Sequence, residues 1–138
     1  MKAEIKQIQG LTLAGKAESK HWIVMDTATT FDGSDAGARP LELVLLGLGG
    51  CTSMDVLSIL KKKRIELTGY ECHLEAERAE SDPKVFTKIL IKYVIFGNNI
   101  PPQAVERAIE LSVTKYCSVY AMLSKAIEIK TEFEIKSQ

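Results

Sequence analysis

The sequence predicts a mixed α+β domain, and three observations carry that reading. Short segments of alternating polar and apolar residues flank one long, almost uninterrupted apolar segment. Their order is strands, long helix, hairpin, helices, strand, without the regular βα alternation of a parallel-sheet protein. The 138 residues include 18 Lys plus Arg against 18 Asp plus Glu, and 46% are apolar, so the composition is that of a globular chain. At this length one core buries roughly 70% of the surface of the unfolded chain, and a single domain over residues 1–138 is expected.

The elements come in order. Residues 1–9, Leu11-Thr12-Leu13 and Trp22-Ile23-Val24-Met25 read as short strands, with Ala14-Gly15-Lys16-Ala17-Glu18 as a turn between them. Asp32-Gly33-Ser34-Asp35-Ala36-Gly37 has the chemistry of a flexible loop. Pro40 suits the first position of a helix, and the helical pattern runs to Lys61-Lys62-Lys63-Arg64. Between Leu41 and Met54 this helix is apolar almost all round and contains Gly47, Gly49 and Gly50. Such a helix must be enclosed on every side, and each interior glycine costs about 1 kcal/mol unless something approaches the backbone. A chain this short cannot sheath it alone, which predicts a second copy packed against it in a homodimer. Residues 69–80 and 85–96 then alternate as a hairpin turning at Asp82-Pro83-Lys84. Pro101-Pro102 opens a second helix whose stripe is Val105, Ala108, Ile109, Ser112, Val113 and Tyr116. A short helix over Ser118 to Lys125 and a final strand carrying Ile127, Ile129, Thr131, Phe133 and Ile135 complete the chain.

Charge and hydropathy exclude several functions. Zero net charge provides no field for polyanions, so nucleic acid is not an expected partner. The longest uncharged run, Leu43 to Cys51, is about half the ~20 residues that span a bilayer, so no membrane is expected either. No apolar stretch comes after the charged Met1-Lys2-Ala3-Glu4-Ile5-Lys6 start, which leads to an expectation of cytoplasmic localisation. There the three cysteines are expected as free thiols serving catalysis, redox sensing, metal binding or packing.

Cys51 lies in the apolar helix, in Gly49-Gly50-Cys51-Thr52-Ser53, where the glycines clear space around the sulfur. Cys117 falls at a helix start, which favours thiolate character. Cys72 reads as a half-buried strand residue, with an alternative resolving thiol or an intermolecular one as the other readings, and its neighbour His73 faces the other side of the sheet, so the two cannot share a metal. With no Cys-x-x-Cys pair, and His21 and His73 as the only histidines, no metal site is expected. Lys61 to Arg64 complement the helix dipole.

Arg39-Pro40-Leu41-Glu42-Leu43 leading into Gly49-Gly50-Cys51-Thr52-Ser53-Met54-Asp55-Val56, with a second cysteine in a later helical segment, resembles the OsmC/Ohr family of osmotically inducible and organic-hydroperoxide-resistance proteins, and its less characterised OsmC-like members in particular. The resemblance implies antiparallel sheets wrapped around a long central helix in an intertwined homodimer. It also implies a thiol peroxidase acting on organic hydroperoxides, with Cys51 matching the peroxidatic cysteine and Cys117 the resolving one. No cofactor is implied beyond an external dithiol reductant. The family's peroxidases stabilise the thiolate with an amino-terminal arginine and a glutamate directly after the proline. Here no arginine precedes Arg39, so Lys16, Lys20 and Arg39 are the candidate activating cations, and Leu41 holds the glutamate position. Glu42 stands nine residues before Cys51, on the opposite helix face at about 100° per residue, whereas Asp55 at i+4 shares the cysteine's face. Two further readings stay open: a non-catalytic dimer holding a small apolar or thiol-reactive ligand at the subunit interface, and a structural dimer with packing cysteines.

Overall fold

The structure, a computed structural model, describes residues 1–137. The chain folds as two compact units, Met1–Leu46 and the segment from Gly47 onward.

In the first unit, β1 (Glu4–Gln9), β2 (Thr12–Lys16) and β3 (Ile23–Met25) form an antiparallel sheet in that order. Gly10 turns the chain between β1 and β2 with φ of +56°, a conformation that favours glycine. The central strand continues through Ala14-Gly15-Lys16, where the sequence pattern indicated a turn. A Cβ at Gly15 would stand 3.0 Å from Ile5 Cδ1 and 3.1 Å from Met25 Cε, so the flanking strands close over this residue because it has no side chain. The loop after β3, expected to be flexible, is instead tied to Asp26, which is only 3% exposed. Its carboxylate accepts hydrogen bonds from Thr12 Oγ1 at 2.8 Å, Thr27 N at 2.7 Å, Ser34 N at 3.3 Å and Ala36 N at 3.1 Å. Burial pushes the Asp26 pKa up, but these donors outweigh it and hold the group at about 2, below its ordinary 3.8.

Helix α1 (Pro40–Lys62) begins as expected at Pro40. Glu42 Oε2 accepts the Arg39 N–H at 2.9 Å, the reciprocal half of a capping box. Leu48, Gly49, Thr52, Val56 and Leu60 form its buried stripe, while Val44, Leu46, Met54 and Leu57 are exposed. Only 28% of its most apolar 18-residue stretch is buried, so a single chain covers one face of a helix that is apolar on several. The glycines divide accordingly. A Cβ on Gly49 would stand 2.6 Å from Leu74 Cδ1, whereas Gly47 and Gly50 face open space.

The second unit contains β4 (Gly69–Arg78), β5 (Phe86–Phe96) and β6 (Glu128–Lys136) in that order. The expected hairpin forms, with Tyr70 opposite Ile95 and Cys72 opposite Tyr93. One pairing departs from the expectation of antiparallel sheets: β6 runs parallel to β5, from Lys88 opposite Glu128 to Phe96 opposite Lys136. The cause is the connection, since α2 (Pro102–Leu111) and α3 (Ser118–Leu123) lie between the two strands and form the crossover that parallel neighbours need. Ile89, Ile91, Tyr93 and Ile95 of the central strand are buried, as are Val105, Ala108 and Ile109 of α2. Beyond α2 the chain widens into a π-type turn over Ser112–Tyr116, closed by the Cys117 N–H on the Ser112 carbonyl at 2.8 Å. Such turns insert a residue into a helix and re-aim the next residues of the chain, here Cys117.

Candidate redox site

Cys51 and Asp55 stand one turn apart on α1, and Cys117 begins α3. The two sulfurs and a carboxylate oxygen of Asp55 all lie within 4.8 Å of one another. Cys117 is 2% exposed. Cys51 and Asp55 are half-buried, and all three cysteines are free thiols.

Cys117 caps α3, its Sγ accepting the Tyr120 N–H at 3.3 Å. The thiolate character expected from that position is overridden. Burial comes first, then the adjacent Cys51, and then the negative charge of Asp55 push the Cys117 thiol above its ordinary value, while the Tyr120 amide pulls the other way. Cys117 is therefore held as a neutral thiol.

Behind Asp55 runs a chain of buried hydroxyls. Tyr93 Oη lies 2.7 Å from Thr52 Oγ1, Thr52 Oγ1 lies 2.9 Å from Ser112 Oγ, and Ser112 Oγ donates to Asp55 Oδ2 at 2.9 Å. The carboxylate end fixes the direction of the whole chain. Ser112 spends its single proton on Asp55, so Thr52 donates to Ser112 and Tyr93 donates to Thr52. Burial raises the Tyr93 pKa, which keeps that phenol a donor. All three hydroxyl-bearing residues are fully buried. None of them emerged as functional from the sequence. The available signal was Ser112, a hydroxyl in the otherwise apolar stripe of α2.

Asp55 also borders a cleft of about 340 Å³ lined by Ser58, Ile59, Lys62, Lys63 and Tyr116. Lys62 and Lys63, which complement the helix dipole, thus also carry positive charge to this cleft. The remaining candidates have other surroundings. In the first unit, Lys16 pairs with Glu4 at 2.9 Å and lies 4.6 Å from the Trp22 ring centroid. Lys20 is exposed with φ of +63°, and Arg39 pairs with Asp35 and donates to the Gly37 carbonyl at 3.1 Å. Glu42 is engaged in the helix cap. On β4, burial pushes the Cys72 thiol up, and His73 faces the other way, 2.8 Å from Glu71. His21 is exposed. Cys51, Asp55 and Cys117 are three possible metal ligands brought together from one helical turn and one distant helix start.

A cysteine inside the apolar helix, a second one beside it at a helix start, and this α+β frame define the class: the OsmC-like protein family matches residues 32–132, and the chain belongs to it. Its relatives narrow the placement. It is 40% identical over 135 residues to Protein YhfA of Escherichia coli (strain K12), covering 98% of each chain. A solved hypothetical protein from Aquifex aeolicus VF5 shares 34% identity and a TM-score of 0.87, covering 99% of this chain and 96% of that one. An organic hydroperoxide resistance protein OsmC from Legionella pneumophila, at 12% identity with coverage of 96% and 94%, shares the fold with a TM-score of 0.70. The resemblance read from the Gly-Gly-Cys helix is thus confirmed at the level of family and fold.

Proposed function

We propose that the protein is a thiol-dependent peroxidase that reduces organic hydroperoxides through Cys51 and Cys117. The observation that carries this reading is the approach of the two sulfurs to within 4.8 Å. Cys51 thiolate attacks one peroxide oxygen; the S–O bond forms, the O–O bond breaks, and the departing alkoxide takes a proton to become an alcohol. The Cys117 sulfur then attacks the Cys51 sulfenic acid, forming S–S and releasing hydroxide, which the Cys117 proton converts to water. Closing the bond brings the sulfurs to about 2.05 Å. An external dithiol returns the two electrons. The exposed Val44, Leu46, Met54 and Leu57, with the uncovered Gly47 and Gly50, support a homodimer in which α1 packs against a second copy. Such an apolar interface favours an organic peroxide over hydrogen peroxide. A cytoplasmic location, where thiols stay reduced, fits a chemistry that runs through free Cys51 and Cys117.

Stopped-flow consumption of an alkyl hydroperoxide by the reduced protein, against Cys51→Ser, tests the reading. Fast loss in the first and none in the second is expected, and identical traces reject it. The ion pairs that already engage Lys16 and Arg39 favour the second reading, a dimer holding a thiol-reactive or apolar ligand without turnover. A ligand retained in native mass spectrometry together with identical peroxide traces would establish that one instead.

A further inference from the structure

We propose that reduced Cys51 and Cys117, together with Asp55, form a binding site for one thiophilic divalent cation of the Zn²⁺ class. The proposal uses the same sulfurs as the peroxidase reading but does not depend on turnover.

The donor set is the first argument. Zn²⁺ is a borderline cation that takes both soft thiolates and carboxylate oxygen, and three protein ligands leave a fourth position for water. Around tetrahedral Zn²⁺ such ligand atoms sit about 3.6–3.8 Å apart, a distance that results from Zn–S near 2.3 Å and Zn–O near 2.1 Å. The three atoms here lie within 4.8 Å of one another, at most about 1 Å beyond that spacing.

The surroundings of the ligands are the second argument. Ser112 Oγ holds Asp55 by Oδ2, and a carboxylate has a second oxygen to offer a cation. The Tyr120 N–H is already aimed at Cys117 Sγ, where it strengthens once the sulfur is ionised. Cys72 and the two histidines lie outside the cluster.

The site is available only to the reduced protein. When an organic hydroperoxide oxidises the bound pair, the two thiolates lose two electrons and form the S–S bond. The O–O bond takes those electrons with two protons from solvent and leaves as alcohol and water, and the cation departs unchanged. Metal and peroxide therefore compete for one pair of sulfurs.

Titration of phosphine-reduced, phosphine-free protein with Co²⁺ provides the test, read by thiolate-to-cobalt charge-transfer absorption and displacement by Zn²⁺. One equivalent is expected to bind. Cys51→Ser and Cys117→Ser should each lose the band, Asp55→Asn should bind about 10–100-fold more weakly, and Cys72→Ser should match the parent. The oxidised, disulfide-linked parent should bind none, an arm that needs no substitution to fold. No band in the reduced parent, or a band surviving in either Cys51→Ser or Cys117→Ser, overturns the proposal. Peroxide turnover without cobalt binding removes this proposal alone, whereas cobalt binding without turnover retains it and removes the peroxidase reading.

Discussion

Removing the Ser112 hydroxyl is the sharpest perturbation of the site that leaves every ionisable group in place. Ser112 is fully buried and its oxygen serves two partners, Thr52 at 2.9 Å and the Asp55 carboxylate at 2.9 Å. The bond to a neutral hydroxyl is worth about 1 kcal/mol and the bond to a carboxylate about 1.5–3 kcal/mol. Asp55 is half-buried and recovers part of its loss from water. Ser112→Ala is therefore expected to cost about 2–3 kcal/mol, or about 6–9 °C in Tm at roughly 3 °C per kcal/mol for a chain near this size. Urea unfolding and calorimetry at matched protein concentration measure it. Tyr93→Phe separates the proposed direction of the chain from its reverse. If Tyr93 is the terminal donor, its loss leaves only an unfilled acceptor on Thr52 and costs about 1 kcal/mol. With the reverse polarity a buried Thr52 proton would be stranded, and the cost would rise to that of Ser112→Ala. A loss below about 0.5 kcal/mol for Ser112→Ala, or strict additivity with Thr52→Val, refutes a connected network.

Met54 is 74% exposed in the single chain, so Met54→Glu should shift stability by less than ~0.5 kcal/mol if α1 stays uncovered. With paired helices it should instead weaken the dimer at least tenfold, or about 1.4 kcal/mol; an unchanged sedimentation profile speaks against pairing through this face. Cys117→Ser should retain one rapid turnover and accumulate a sulfenic acid on Cys51 that a cyclic dione traps for mass spectrometry, whereas Cys72→Ser should turn over like the parent. Trapping at Cys72 instead would move the chemistry off α1. Asp26 has a folded pKa of about 2 against an ordinary 3.8, so its contribution to stability is present above about pH 4 and lost as the pH falls through 2. Amide protection of Ser34 and Ala36 should decline over that window in the parent and show no such step in Asp26→Asn. The same step in both proteins would place the titration elsewhere.

Local signals made the elements legible: Pro40 opening α1, period-two alternation in β4 and β6, and the buried stripe of α2. Asp55 was legible too, because an i, i+4 relation to Cys51 is fixed by helix geometry. What escaped is what depends on distant partners. Gly15 reads as a turn until Ile5 and Met25 are seen closing over it from both sides. The loop to Gly37 reads as flexible because the aspartate that anchors it lies 8 and 10 residues upstream of Ser34 and Ala36. Thr52, Tyr93 and Ser112 come from separations of 41 and 60 residues, and no periodicity reveals such a meeting. The placement of Cys117 beside Cys51 came from family resemblance. The physical agent is a widened turn that no propensity scale signals.

The parallel entry of β6 sets the order in which the molecule can be assembled. A hairpin zips from its turn, but β6 docks on β5 only after the chain between Phe96 and Glu128, including α2 and α3, has been folded back. Cys117 lies inside that returning segment, whereas Cys51 is already on α1. Cys51 therefore gains the Cys117 sulfur as a neighbour only once that segment has returned.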